Sequence, residues 1–267
     1  MLGSTDSAPF MFHTDVSQIN RKFLKPMNSS RKILEIIYDK IRGHFDIQEL
    51  WFPAFNYDFP TTKLFNPKLD PIQVGVLNEA IRKFPEYTRS SVPMFSIIRS
   101  TDQPNMGMPE VIKPFGANGE FSELRRRKGS IVFFGASISA MTFIHYVEEL
   151  VGIPYRYPKI FKGEIVSEGG NKELGIQYLV RPKGMILDYD WSLITARLKE
   201  GDLIQADSSF GDYAILNCED LTNFMVSEYS KNIFWTLTDD SRIEVESHLN
   251  KIGRPFAISD FEGNGEI

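Results

Sequence analysis

The spacing of apolar positions changes several times along the chain, and each change marks an element. PFMFHTDV (Pro9 to Val16) is an apolar run that turns polar, as a short buried strand does on reaching a turn. Ile33, Leu34, Ile37 and Ile41 then recur at helical spacing behind a Ser N-cap, with Gly43 as the stop, so a helix is expected over 28–43. IQELWFPAFNYDF reads as a strand whose later half Pro53 pushes to an edge or a bulge. DPIQVGVLNEAIRKFP predicts a helix opened by Pro71 and closed before Pro85. RSSVPMFSIIRS is a second extended stretch. FSELRRRKGS then leads into the apolar strand SIVFFGA, and MTFIHYVEELVG predicts a helix ended by Gly152.

From about Pro154 the texture changes. KIFKGEIV and ELGIQYLV alternate with Gly turns, as antiparallel strands do. Helices are expected in WSLITARLKEG and CEDLTNFMVSEYSKN, and the tail DFEGNGEI should fray. Strands alternating with helices, followed by a strand cluster, predict an α/β fold. It would be a mixed sheet flanked by helices, with an additional antiparallel strand cluster in the C-terminal part. A single domain over 1–267 accommodates this, and two lobes would meet near residue 153.

Composition narrows the class. The chain has 267 residues, 42% hydrophobic and 24% charged, the balance of a soluble globular protein. Aromatics reach 13%, enough for a filled core and aromatic cleft walls. A net charge of −5 gives nucleic-acid binding no electrostatic support. The first residues lack a basic segment followed by an apolar one, and no apolar run approaches the ~20 residues that span a bilayer. A cytoplasmic protein without a membrane partner is therefore expected; a homo-oligomer is compatible with the sequence. The single Cys218 excludes an intramolecular disulfide and a Cys-based zinc site, and it reads as a buried packing residue. Arg125, Arg126, Arg127 and Lys128 read as a solvated turn.

FFGASISAMTFIHYVEEL (Phe133 to Leu150) concentrates the chemistry. On a helix Thr142, His145 and Glu148 share one face, while Phe143, Val147 and Leu150 would pack inward. The positive helix start disfavours an imidazolium, and Glu148 pulls the other way while able to fix the tautomer. A neutral, oriented imidazole is what a general base requires, and such a base is worth ~10²–10⁴-fold. Free amides at the helix start could receive an oxyanion. A helix whose polar face simply holds His and Glu satisfies the same spacing. GASIS also approaches a nucleophile elbow at Ser137, although Ser139 stands where that pattern needs Gly. No zinc-ligand pattern links His145 with His13, His44 and His248, so no metal is expected.

Several ordered motifs carry a resemblance. They are HTDV; PAFNY (Pro53 to Tyr57); PIQVGVLNEAIR (Pro71 to Arg82); RSSVPMFS (Arg89 to Ser96); Pro114 to Gly116; TFIHYVE (Thr142 to Glu148); and Pro154 to Arg156. In this order the chain resembles the aminoglycoside 3-N-acetyltransferase family over roughly residues 10 to 220. The resemblance implies an α/β fold without a Gly-rich phosphate loop. It implies acyl transfer from acetyl-CoA or another acyl-CoA to an amino group of an amino sugar, without a metal. His145 would be the general base, with Glu148 steadying the ring and Thr142 near the carbonyl oxygen. Thr14, Asp15 and Ser17, with Arg89 and Ser96, would contact CoA; Tyr57 and Asp58 would face the acceptor. Val92 stands where the family has His. That departure and the short loop between Phe59 and Leu69 favour a nucleotide-linked amino-deoxysugar slightly over a free aminoglycoside. A non-catalytic homologue that binds CoA or sugar is the reading from another class.

Overall fold

A computed structural model describes residues 8–18, 35, 38–39, 41, 43, 49–100, 109–167, 169–207 and 213–263. Of the helix expected over 28–43, only Glu35, Tyr38, Asp39, Ile41 and Gly43 are described, all of them helical; the rest lies outside the described residues.

The larger of two sheets has seven strands and a parallel centre, where β1 (Phe10–Thr14) lies between β7 (Ser130–Phe134) and β2 (Leu50–Pro53). Antiparallel strands extend both flanks. Tyr213–Asn217 (β11) pairs with β7, and Gln205–Asp207 (β10) pairs with β11. On the other side Ile97–Arg99 (β5) pairs with β2, and Thr88–Arg89 (β4) pairs with β5. The order across the sheet is β10-β11-β7-β1-β2-β5-β4. The central strands are largely apolar because both faces are covered. Met11, Ile131 and Phe133 enter one hydrophobic core, while Phe12, Val132 and Phe134 enter a second on the opposite face. The first core is the larger and draws residues from both sides of position 153.

The C-terminal strand cluster is a second sheet. Tyr157–Ile165 (β8) and Lys172–Val180 (β9) form its antiparallel centre, and Leu64–Phe65 (β3) and Val111–Ile112 (β6) add parallel edges from earlier in the chain. Its order is β3-β8-β9-β6. The fold is thus α/β with a mixed sheet, as the patterning predicts.

Three local readings change. β2 is an inner strand, and Pro53 ends it in register with Ile97 instead of moving it to an edge. The helix expected from Pro71 is only Val76–Ile81 (α2), following the four-residue helix Phe59–Thr62 (α1). Gly75 takes φ +77° and blocks an earlier start, and the Ile72 amide donates to Glu79 Oε2 at 2.9 Å. RSSVPMFSIIRS is two short strands flanking a bend, where Met94 holds φ +64°.

The Arg125–Lys128 turn is only partly solvated. Arg127 forms an ion pair with buried Glu49, and Arg125 reaches Tyr146 Oη at 3.4 Å. These arginines tie helix α3 (Glu120–Arg126) into the body of the protein.

At Gly119, which caps α3, the Pro114 carbonyl lies so close that a Cβ would overlap it and come within 2.7 Å of the Lys113 oxygen. No rotamer change can relieve a backbone clash of this kind. Gly119→Ala should therefore lower unfolding stability by about 1–3 kcal/mol in urea denaturation, the range for overpacked sites.

Candidate active site

Thr14, Pro53 and Phe134 end the three parallel strands at the same edge, the edge where open α/β sheets present their ligand sites. Beyond Phe134 the chain turns at Gly135 (φ +68°), makes a 3₁₀ turn over Ile138–Ala140, and begins helix α4 (Ile144–Val151). The helix starts later than the pattern suggests. Thr142 therefore lies in the preceding turn, off the face shared by His145 and Glu148, and its hydroxyl reaches Ala140 O at 3.5 Å. The amides of Ile144 to Val147 all donate to carbonyls of Met141 to Phe143, so they are not free for an oxyanion. Leu150 is half exposed instead of packing inward; Phe143, Ile144 and Val147 form the buried face.

His145 is the second helical residue, and its side chain keeps 32% exposure. Its Nδ1 lies 3.0 Å from Glu148 Oε2, and the Glu148 side chain is 0% exposed. The Tyr189 hydroxyl donates to Glu148 Oε1 at 2.7 Å and accepts from Arg156 Nη2 at 2.9 Å. That hydroxyl also lies 3.3 Å from His145 Nδ1. Tyr155 Oη donates to the same Oε1 at 3.3 Å. Arg156 Nε stands 3.2 Å from Oε2, an ion pair without hydrogen-bond alignment.

Burial alone would push the Glu148 carboxyl up. The Arg156 guanidinium and the hydrogen bonds from His145 and Tyr189 outweigh it and hold the group below the usual carboxylate range. Burial likewise opposes the Arg156 charge, and the Glu148 carboxylate reverses this and drives its pKa up. Tyr189 is pushed well up, chiefly by burial and then by Glu148, so it stays a neutral donor. A carboxylate on the Nδ1 side makes that nitrogen the proton carrier of a neutral ring and leaves the Nε2 lone pair outward.

An aromatic wall runs from this centre. Phe115 meets the His145 ring edge-on at 5.4 Å, Phe95 packs on Phe115 at 4.8 Å, and Tyr57 meets Phe95 at 6.2 Å. Tyr178 closes on Phe95 at 5.1 Å. Tyr57 is thus joined to the His145 wall, while Asp58 is exposed and stands just before α1. His13 lies under this edge, stacked on Phe133 at 5.3 Å, and burial lowers its pKa to about 4, so it is neutral.

The other expected residues occupy the same edge with internal partners. Thr14 Oγ1 donates to Asn78 Oδ1 at 3.2 Å. Asp15 Oδ1 accepts from the Ser17 amide at 2.9 Å and its hydroxyl at 2.6 Å, and the amides of Asp15 and Gln18 are also committed. The turn is closed on itself and does not offer a cradle of free amides. Arg89 donates to Ser96 Oγ at 2.8 Å, Asp70 O at 2.6 Å and Ala54 O at 2.5 Å, bracing the loop behind β2. Val92 packs against the larger core. Ser137 accepts from the Ser139 amide at 3.2 Å, and no imidazole is hydrogen-bonded to it among the described residues, so the geometry gives it no base. No cluster of three or more His, Cys, Asp or Glu suited to a metal lies among the described residues. Among them, too, no helix is long and apolar enough to cross a membrane.

Phe115, Tyr155, Arg156 and Tyr189 complete the site without having been assigned a part by sequence. Three of them stand in the Pro114–Gly116 and Pro154–Arg156 motifs, which supply a position but no role. Tyr189 carries no local signal at all.

The profile for aminoglycoside 3-N-acetyltransferase matches residues 40–228, and the chain belongs to that family of acyltransferases. Solved structures agree in fold. AAC-IIIb in binary complex with CoASH is 18% identical, with a TM-score of 0.66, over 84% of this chain and 90% of that one. Aminoglycoside acetyltransferase AAC(3)-Xa is 17% identical, with a TM-score of 0.64, over 84% and 86%. A histidine-to-alanine mutant of AAC(3)-IVa in complex with a gentamicin is 15% identical, with a TM-score of 0.64, over 90% of both chains. No curated protein matches the sequence.

Arg156→Leu should strand the Glu148 carboxylate and reduce stability at neutral pH by about 3–5 kcal/mol, the usual effect of breaking a buried pair. A depressed carboxylate pKa stabilises the fold above the unfolded value of about 4.3, and that contribution is lost as pH falls through the folded value. The deficit of Arg156→Leu should accordingly shrink in urea titrations run below pH ~4.

Proposed function

We propose that this chain transfers an acyl group from a CoA thioester to an amino group of an amino sugar, with His145 as general base. The observation that carries the reading is the His145 ring, fixed through Nδ1 by a carboxylate with 0% exposure while the ring itself stays partly open at the strand ends. Family membership and the CoASH and gentamicin complexes of structural relatives support the two substrate classes.

An amino-sugar nitrogen arrives protonated and cannot attack in that form. His145 Nε2 accepts its proton, and Glu148 balances the imidazolium so formed. The freed lone pair attacks the thioester carbonyl carbon; a C–N bond forms and the C–S bond breaks. His145 then returns its proton to the departing sulfur, which leaves as thiol, and the nitrogen, still carrying one proton more than a neutral amide holds, releases it to solvent. The thioester supplies the activated acyl group, and the residues of this chain position and move the protons. Tyr189 and Arg156 keep Glu148 ionised and aimed at Nδ1. Thr14, Asp15 and Ser17 border the approach at the end of β1; Arg89 and Ser96 hold the loop behind it, and Tyr57 and Asp58 extend the wall on the acceptor side. Thr142, in the turn just before the helix, would have to release Ala140 O to meet the carbonyl oxygen.

His145→Ala should lower kcat at least 100-fold in a thiol-release assay with acetyl-CoA and an amino-sugar panel, the order of a lost general base. CoA binding should persist in that variant: at 100 times its Kd, CoA adds ~2.7 kcal/mol of stability in a thermal-shift titration. A variant with near wild-type turnover contradicts the mechanism, and a wild type that CoA does not stabilise contradicts the substrate class.

A further inference from the structure

Three buried hydroxyls stand in line behind the carboxylate that orients His145. Tyr155 Oη donates to Glu148 Oε1 at 3.3 Å, Thr236 Oγ1 lies 3.4 Å beyond it, and Tyr229 Oη lies 3.2 Å beyond Thr236. Tyr155 and Thr236 have 0% exposure, so solvent does not compete for these bonds. Thr236 stands in the short segment between the helices Cys218–Lys231 and Asp239–Ile252. Both Thr236 and Tyr229 lie beyond residues 40–228, the span that the family profile matches.

The acceptor at its end gives the line a direction. An ionised carboxylate only accepts, so the Tyr155 proton points at Glu148. The Tyr155 oxygen is left to accept, Thr236 supplies that proton, and Thr236 in turn accepts from Tyr229. Burial, and then the Glu148 charge, push the Tyr155 hydroxyl up, and burial pushes Tyr229 well up, so each oxygen keeps the one proton the line needs. Hydrogen bonds in series polarise one another, which strengthens the donor nearest the carboxylate.

The backbone around Thr236 supports the other tyrosine. The Asp190 amide donates to Thr236 O at 2.9 Å, and the Thr238 amide donates to Asp188 O at 3.0 Å, bracketing Tyr189 opposite Leu237. Both tyrosines meet Glu148 on one oxygen, Oε1, and Oε2 remains for His145 Nδ1 and Arg156.

We propose that Thr236 is a positioning residue for acyl transfer: the directed line Tyr229–Thr236–Tyr155 occupies Glu148 Oε1 from behind and so presents Oε2 to the imidazole. The inference rests on the acyl-transfer reading above and adds to it a buried residue that acts through Tyr155. The links are longer than the ~2.7–2.8 Å usual for O–H···O bonds, so the effect on rate is a few-fold and not orders of magnitude.

The test uses Thr236→Val, which keeps the side chain's shape and the backbone bonds, and Thr236→Ser, which returns the hydroxyl. Thr236→Val should lower kcat about threefold in acetyl-CoA thiol release with an amino sugar, at unchanged KM for acetyl-CoA, and Thr236→Ser should restore it. ¹⁵N NMR should show a larger share of the neutral His145 ring protonated on Nε2 in Thr236→Val than in wild type. In a Tyr155→Phe background Thr236→Val should cost nothing further, because the line already stops short of the carboxylate. The same loss in both backgrounds, a loss that Thr236→Ser leaves in place, an unchanged kcat or an unchanged tautomer overturns the proposal. Should Thr236→Val not fold, Tyr229→Phe cuts the line one step back and should move the tautomer in the same direction; an unchanged tautomer overturns it. If wild type acylates no amino sugar, the acyl-transfer reading has failed, and the tautomer decides alone. A larger Nε2-protonated share in Thr236→Val then supports the line, and an unchanged share overturns it.

Discussion

Glu148 carries an ionised carboxylate with no exposed surface, and the arrangement around it determines the rest of the site. Placing such a charge out of water costs several kcal/mol, which only a close counter-charge and well-made hydrogen bonds can offset. Here Arg156 supplies the counter-charge, and His145, Tyr155 and Tyr189 supply donors. These partners come from three separate stretches of chain. The pair therefore clamps helix α4 to the segment leading into β8 and to the chain around Tyr189. A helix of eight residues is marginal in isolation, so this clamp and the apolar face of Ile144 and Val147 define its position.

The clamp also explains why an imidazole here is suited to proton transfer. Each hydroxyl that donates to Glu148 is held by something else: Tyr189 by Arg156, and Tyr155 by Thr236, 3.4 Å away. With Glu148 anchored from several sides, the ring has one nitrogen turned inward. Phe95 and Phe115, members of the larger core, pack between the His145 ring and Tyr178 of the second sheet.

Much of this was legible in the sequence. Strands buried on both faces are apolar at successive positions, which is why the FMF of β1 and the IVFF of β7 stand out. Helices α5 (Trp191–Glu200) and α6 (Cys218–Lys231) follow capping residues, Asp190 and Asn217, whose side chains accept from the first turn. Helix α7 (Asp239–Ile252) was overlooked: its apolar stripe, Val245, Leu249 and Ile252, is narrow, and only Val245 of the three is fully buried. Pro71 suggested a helix start that the positive φ of Gly75 forbids. In the site, the i,i+3 spacing revealed His145 and Glu148 because a helix brings such neighbours together. Nothing local could reveal Tyr189, whose partner lies 41 residues away, because tertiary packing alone joins them. Arg89 shows the converse, a plausible anion ligand by motif whose donors brace a loop.

The protonation of one ring tests the central claim most directly. ¹⁵N NMR of histidine-labelled protein, assigned through His145→Ala, reports which nitrogen of His145 carries the proton when the ring is neutral. The account predicts the proton on Nδ1, facing Glu148, with Nε2 bare. A neutral ring protonated on Nε2 would contradict it.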